Sequence, residues 1–313
     1  MVIQSKIHHF FSGNKSQPIY VYDGFTSKYE HNSNNVDTYK SLDYKFVGTY
    51  NKVDFYYKNS GETIDLENHT TLTDQHLPLL KSNLQKCIRR CEYDKAIVTA
   101  NIILRINSLE LLRRILIIVV EDTCITDNMP YSQLTWLMMA HKNHQFTMND
   151  YKHIVNMIWI MCNTMENVTY DNVSTDYTVD YFNQIQVAVN FRIEYGGMNS
   201  DMQLLKNLCS WLNKHLPFTG KTIPILDYNY LFTLTNILNN ILLDAIDFHC
   251  FPPILALISK EYNIDRSNVK KLIWDNYSSI NIRRPQNNII KPIFHDRYLK
   301  IRQDILDNLY MTI

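Results

Sequence analysis

Two cysteines are spaced so that they could hold a metal ion. Cys87 and Cys91 lie four residues apart in a segment of helical periodicity, so both thiols would project from one helix face. A zinc site needs further ligands at sensible spacing, and the pairs His141/His144 and His249/Cys250 are poor candidates for them. Free buried thiols are the simpler interpretation. We therefore expect no metal site and no cofactor.

Carboxylates that could work as acids or bases occur in two places. Asp244, Asp247 and His249 form one group, and Glu121 and Asp122 are adjacent in sequence. In helical proteins most such groups cap helices or neutralise arginines, although a carboxylate with a shifted pKa can mark an active site. We expect no catalytic residues here and a protein without enzymatic activity. A DNA-processing enzyme with a carboxylate or metal site elsewhere is the alternative.

A possible phosphate-binding sequence is incomplete. Thr219, Gly220, Lys221 and Thr222 match the end of a phosphate loop, but His215 stands where the loop needs its first glycine. No strand is predicted before it, and glycine makes up only 7 of 313 residues, although backbone must approach a phosphate closely. The sequence therefore predicts no nucleotide binding.

The N-terminus carries a short apolar motif. Gln4, Ile7, Phe10 and Phe11 follow the pattern Gln-x-x-aliphatic-x-x-aromatic-aromatic. One 3₁₀ turn places positions three apart on the same side, so the three apolar side chains would form a plug. Aromatic side chains in a desolvated pocket are the usual hot spots of an interface, and Gln4 could fill a small polar site.

This octapeptide resembles the box with which replication and repair proteins dock onto proliferating-cell nuclear antigen, the DNA sliding clamp. Every specified position of the box is matched between Gln4 and Phe11. The resemblance implies that the clamp is a partner, bound through Gln4, Ile7, Phe10 and Phe11. Polar, aperiodic residues follow as far as residue 40, which predicts a flexible tether.

A second resemblance covers residues 84–127. Basic pairs at Arg89-Arg90 and Arg113-Arg114, followed by Glu121-Asp122, resemble the C-terminal helical region of the MgsA/RarA clamp-loader-like ATPases. That region helps to build an oligomer in the family. Two amphipathic core helices with salt-bridged arginines would produce the same pattern. An oligomeric scaffold is therefore a third possible function.

The C-terminal fifth is the most basic part of the chain. Residues 252–277 have the size of a helix–turn–helix unit, but few base-reaching side chains are evident, because Val269, Leu272, Ile273 and Trp274 are predicted to be core. Contact with the DNA backbone would instead use cations of the final segment, namely Arg283, Arg284, Arg297 and Lys300.

The pattern of apolar residues predicts an all-α, multi-helix globular domain. Residues 1–40 are predicted to be a flexible tail, 41–75 an irregular segment with a small β-hairpin near 44–57, and 76–313 a helical domain with a subdomain boundary near 166–176. Helices are predicted over 76–91, 93–106, 109–120, from Pro130, from Met148 after a capping box, 176–195, 199–215, 228–246, 251–262, 266–278 and 294–311.

Composition narrows the function further. The net charge is zero, with 31 basic and 31 acidic residues, so DNA binding would come from local patches or from a partner. The N-terminus lacks a signal-peptide pattern, and six cysteines without a tight framework suggest a reducing compartment. A sliding-clamp-binding accessory factor of DNA replication or repair is the predicted function. The nucleus or a viral replication compartment is the expected location, with no membrane partner.

Overall fold

A computed structural model describes residues 18–24, 27–30, 36–50, 52–58, 61–66, 71–123, 130–142, 144–163, 184–212, 240–246, 252–277 and 291–312. The protein is rich in helix, with ten α-helices and one four-stranded sheet among these residues. The predicted helical fold is thereby confirmed in its main feature. None of the described helices is long and apolar enough to span a membrane.

The chain divides into two compact units, each built from separated stretches of sequence. The first contains the described residues up to Ile64, those from 130 to Ile154, and 184–212. The second contains the described residues from Asp65 to Thr123, Val155 to Asn163, and those from 240 onward. The helix Met148–Asn163 contributes its beginning to the first unit and its end to the second.

The sheet of the first unit has the order β2-β1-β4-β3. Its strands are β1 (Ile19–Tyr22), β2 (Ser27–Glu30), β3 (Lys45–Tyr50) and β4 (Val53–Tyr57). β1 lies parallel to β4, and the other two pairings are antiparallel. The short helix α1 (Val36–Ser41) precedes β3.

The predicted hairpin is present as β3 and β4, but it is only half of the sheet. The flexible tail predicted over residues 1–40 is wrong for β1, β2 and the part of α1 up to Lys40. All four residues of β1 are buried, because Ile-Tyr-Val-Tyr is apolar on both faces and enters the middle of the sheet. A run of four residues was too short for the helical or alternating patterns that guided the prediction.

The first unit also contains α4 (Pro130–Ala140), α6 (Gln184–Tyr195), α7 (Asn199–Leu212) and the beginning of α5 (Met148–Asn163). Aromatic rings join α4 and α6 to the sheet. The ring of Tyr20 packs edge-on against Trp136, with centroids 4.1 Å apart, and Phe55 contacts both Trp136 and Phe191. As predicted, α6 ends before Gly196, whose φ of +86° suits glycine.

The second unit begins with α2 (Leu77–Arg89) and α3 (Tyr93–Asp122). α3 is interrupted at Asn107, whose φ of −159° and ψ of 96° are not helical. The Asn107 side chain accepts a hydrogen bond of 3.2 Å from the backbone N–H of Glu110, so it caps the second half. Two helices were predicted here, and the break falls between them.

The C-terminal part of the second unit is a three-helix module formed by α8 (Pro252–Tyr262), α9 (Arg266–Tyr277) and α10 (His295–Thr312). Its core consists of Leu255, Ile258, Val269, Ile273, Phe294, Tyr298 and Ile301. The prediction of a helix over 228–246 is wrong for its described end, because residues 240–246 contain only the 3₁₀ turn Leu243–Ala245. That segment is held by side chains from α2 and α10, which are too distant in sequence for periodicity to detect.

Candidate nucleic-acid interface

Several predicted site residues lie outside the described residues. These are Gln4, Ile7, Phe10 and Phe11 of the terminal motif, Arg283 and Arg284, the sequence 219–222, and Asp247 with His249. The remaining predicted residues belong to the second unit: Cys87, Cys91, Glu121, Asp122, Asp244, Arg297 and Lys300.

The two spaced cysteines do not share one environment. Cys87 is buried, whereas Cys91 is exposed in the turn after α2, where its φ is +60°. Burial raises the pKa of Cys87 to about 12 and also raises the pKa of the buried Cys162. A thiol must lose its proton to bind a metal, so these buried groups are poor ligands. Among the described residues no cluster of His, Cys, Asp or Glu could hold a metal ion.

The adjacent carboxylates Glu121 and Asp122 belong to a charge network between α2 and α3. Arg89 pairs with Asp122, and the two side chains are only 10% and 5% exposed. The Gln85 amide donates to both carboxylates, at 2.6 Å each, and accepts a hydrogen bond from Arg114. Burial raises the pKa of Glu121, and Arg114 opposes that shift. The pair therefore neutralises arginines and stabilises the packing of two helices.

Asp244 also binds cations of its own unit. Its carboxylate pairs with Arg90, which directly follows α2, and accepts a hydrogen bond of 2.8 Å from Arg302 of α10. Lys86 donates to the Asp244 carbonyl oxygen, and Arg302 donates to the carbonyl of Leu243 at 3.1 Å. We call these five residues the Asp244 cluster. They tie the 3₁₀ turn to α2 and to the three-helix module, which is a structural role.

The region that resembles the clamp-loader-like ATPases forms the pair of helices α2 and α3. Its cations are used within the unit, since Arg113 pairs with Glu110 at 2.6 Å and Glu110 also binds Lys81 at 2.7 Å. The charge network includes Arg89 and Arg114, and the Asp244 cluster includes Arg90. The basic pairs therefore act as salt-bridged charges between core helices.

A polar cluster in the first unit was not found as a site from the sequence. Asp150 is fully buried and accepts hydrogen bonds from the backbone N–H of Thr147 at 2.9 Å and from the Tyr22 hydroxyl at 3.3 Å. His144 lies 3.0 Å from the same carboxylate. The capping box of Thr147 and Asp150 was predicted, but the Tyr22 contact spans 128 residues and leaves no local signal.

This cluster resembles a catalytic His–Asp pair in composition but not in access. The side chains of His144 and Asp150 are 3% and 0% exposed, and the ring of Tyr57 packs edge-on against His144 with centroids 4.7 Å apart. Burial, followed by the nearby Asp150, raises the pKa of Tyr22 far above its ordinary value. A substrate cannot reach these atoms, so the cluster fastens the start of α5 to the sheet.

The three-helix module has a helix–turn–helix connection between α8 and α9. Asn263 adopts a left-handed conformation with a φ of +52°, and Asp265 caps α9 by accepting a hydrogen bond of 2.9 Å from the backbone N–H of Ser267. The hydrogen bonds from Ser267 lower the pKa of Asp265. α9 thus begins sharply after a three-residue turn, as in helix–turn–helix units.

The outer face of α9 differs from the sequence prediction. Val269 and Ile273 are buried, as expected, and Leu272 is partly buried, but Trp274 is 44% exposed. The first two turns expose Arg266, Ser267, Asn268, Lys270 and Lys271. The prediction that Trp274 is a core residue is wrong, because helical period shows which residues share a face but not which face packs against α8 and α10.

The two predicted DNA-contacting residues of α10 have different surroundings. Arg297 forms a two-pronged ion pair with Glu261 of α8, in which both N–O distances are 2.9 Å. This pair raises the pKa of Arg297 and lowers the pKa of Glu261. Lys300 is exposed. Arg297 must therefore leave or share Glu261 before it can bind a phosphate.

Comparisons with known proteins identify no relative. No protein-family model matches the chain, and neither the curated proteins nor the solved structures that were compared with it gave a significant match.

Proposed function

We propose that this protein is a sliding-clamp-binding accessory factor of DNA replication or repair. The observation that carries the proposal is the terminal motif, in which Gln4, Ile7, Phe10 and Phe11 match every specified position of the clamp-docking box. The peptide would recruit the protein to the ring, and the three-helix module would contact the DNA backbone. A nuclear or viral replication compartment would follow as its location.

The position of β1 limits how far the protein can lie from the clamp. Ile19 is fully buried in the sheet, and Phe11 precedes it by only eight residues. A chain extends by at most about 3.5 Å per residue, so the docked aromatic anchor lies within about 28 Å of β1. This distance is far shorter than a tether of residues 12–40 would allow. Docking would therefore hold the first unit close to the ring.

The neighbourhood of the candidate carboxylates supports a binding function over the enzyme alternative. Glu121 and Asp122 lie against Arg89 and Arg114, and Asp244 lies between Arg90 and Arg302. A general acid or base must be free to exchange a proton with its substrate. These carboxylates are instead engaged by cations that fasten helices together.

The test is capture of the full-length protein by an immobilised sliding clamp. We expect Phe10→Ala with Phe11→Ala to abolish capture, because truncating a desolvated aromatic anchor typically costs about 2 kcal/mol or more. The matched control is Leu42→Ala with Phe46→Ala, which removes two exposed apolar side chains, 50% and 54% exposed, from the first unit. Circular dichroism should show unchanged helix content in both variants.

The control must be captured as well as the wild type. A synthetic peptide of residues 1–14 should compete with the protein for the ring, and the same peptide with both alanines should not. Undiminished capture of the Phe10→Ala, Phe11→Ala protein would contradict the proposed docking mode.

A further inference from the structure

Arg266, Lys270 and Lys271 are exposed cations of α9, a helix held in the module by its buried residues. Val269 and Ile273, four residues apart, are 0% and 4% exposed and enter the core. Arg266 and Lys270 lie next to this buried stripe, because each is three residues before one of its members, whereas Lys271 lies on the opposite side of the helix. The exposed surface of α9, which we call its outer face, therefore carries cations from the edge of the buried stripe round to the opposite side of the helix.

The cations of this face are not neutralised within the part of the module that the structure describes. Arg266, Lys270 and Lys271 form no salt bridge with a described residue, and the described part of α9 has one carboxylate, Asp275. The neighbouring acids have other contacts, since Glu261 binds Arg297 and Asp265 caps α9. Arg266, Lys270 and Lys271 outnumber Asp275, so α9 keeps a net positive charge for an external anion.

From these observations we propose that the outer face of α9 is a binding surface for the phosphate backbone of double-stranded DNA. The inference rests on the proposed function and deepens it, because it moves the main contact from the final segment to α9. The second helix of a helix–turn–helix unit enters the major groove, which is wide enough to admit one α-helix. The short turn at Asn263–Asp265 and the exposed, basic start of α9 fit this arrangement.

The same face fits duplex better than single-stranded nucleic acid. Proteins that bind single strands without sequence preference stack successive bases on several aromatic side chains. Among the described residues of α9, only Trp274 is an exposed aromatic, at 44% exposure, whereas three cations lie in the two turns before it. Charge rather than stacking is therefore the dominant chemistry of the surface.

The experiment measures binding of the full-length protein to a labelled duplex of random sequence over a range of salt concentrations. The test variant is Arg266→Gln, Lys270→Gln, Lys271→Gln. The control variant, Lys28→Gln, Lys40→Gln, Lys45→Gln, removes the same net charge from exposed positions of the first unit. Log K falls as log salt rises, and each lost phosphate contact should make this negative slope shallower by about one. We expect the slope to be shallower by about three in the test variant and unchanged in the control.

Several results would overturn the proposal. One is an equal loss of affinity in both triple variants, which would mean that net charge alone drives binding. Undiminished duplex binding by the α9 variant is another, and so is tighter binding of a single-stranded oligonucleotide that is lost in Trp274→Ala. If the triple variant melts earlier than the wild type, the single changes Lys270→Gln and Lys271→Gln replace it, with a slope change of about one each.

The clamp assay separates this inference from the proposed function. The α9 variant keeps the terminal motif, so the sliding clamp should capture it as well as the wild type. Loss of duplex binding with intact capture supports the α9 surface. If the wild type fails to bind the sliding clamp but binds duplex DNA through α9, the α9 surface is supported and the proposed docking peptide is contradicted.

Discussion

Arg302 of α10 donates a hydrogen bond of 2.8 Å to the carboxylate of Asp244, 58 residues earlier in the chain. The Arg302 side chain is only 4% exposed, and its guanidinium also lies 5.0 Å from the centroid of the Tyr298 ring. Arg90, at the C-terminal end of α2, binds the same carboxylate. One acidic residue thus links α2, the 3₁₀ turn and the three-helix module within the second unit.

We predict that Asp244→Ala destabilises the protein. The change leaves the Arg302 guanidinium buried without its carboxylate, and losing one partner of a buried pair is costly. Because Asp244 itself is 24% exposed, solvent reduces the effect, and we expect a loss on the order of 2–3 kcal/mol in the free energy of unfolding. Urea unfolding measures it.

Asp307→Ala is the matched control for this change. Asp307 lies on α10, is exposed, and accepts a side-chain hydrogen bond of 2.8 Å from Gln303. Its removal should change stability by less than about 0.5 kcal/mol. If the two variants unfold at the same urea concentration, the Asp244 cluster does not stabilise the second unit.

We predict opposite effects on DNA binding when the two members of the Glu261–Arg297 pair are changed. Glu261→Gln should raise duplex affinity and steepen the salt dependence by about one, because it frees Arg297 for a phosphate and removes a negative charge. Arg297→Gln should lower affinity, because it leaves Glu261 unpaired beside the bound backbone. The pair is about one-third exposed, so we expect little change in stability from either substitution.

Glu62→Gln, which neutralises an exposed carboxylate of the first unit, is the charge-matched control for Glu261→Gln. Duplex binding that is unaffected by Glu261→Gln would show that Arg297 and its surroundings lie outside the contact. Lys300→Gln should lower the salt slope by about one if α10 lies beside the DNA backbone.

We predict that His153 makes the first unit less stable in acid. Burial lowers the pKa of His153, while its hydrogen bond of 3.1 Å to the Gly24 carbonyl opposes the shift. The unfolded chain therefore binds a proton more readily than the folded protein. Stability is highest above the unfolded pKa of about 6.5 and falls as the pH drops through it, until the folded form is protonated too.

His153→Gln removes the imidazole that titrates and keeps a side-chain amide that can donate a hydrogen bond to the Gly24 carbonyl. Between about pH 8 and about pH 5.5, the free energy of unfolding should fall more in the wild type than in this variant. His141→Gln, at an exposed position, should follow the wild type. Equal losses in the wild type and in His153→Gln would exclude His153 as a source of acid sensitivity.

Local signals predicted most of the helices. Thr147 and Asp150 lie three residues apart, and their reciprocal hydrogen bonds start α5 where the capping box predicted it. Gly196 ends α6, and Asn107 separates the two halves of α3. These features depend on atoms within about one helical turn, so a sequence window contains all the residues that determine them.

Tertiary structure alone decided the features that join distant residues. β1 became a buried strand because β4 offers it a parallel partner, with Ile19 beside Asp54, and no window around β1 contains that strand. Asp244 became structural because Arg90 and Arg302 meet at its carboxylate. Burial follows from which surfaces lose water when elements from separate parts of the chain pack together.

The terminal motif and the face of α9 illustrate the two kinds of information. The proposed clamp-docking motif can be found in the sequence, because the spacing of Gln4, Ile7, Phe10 and Phe11 within eight residues is a local property. The exposed basic face of α9 cannot, since Val269 and Trp274 are both apolar and only packing against α8 and α10 buried the first and exposed the second. Helical period sets which residues share a face, and the neighbouring helices determine which face meets water.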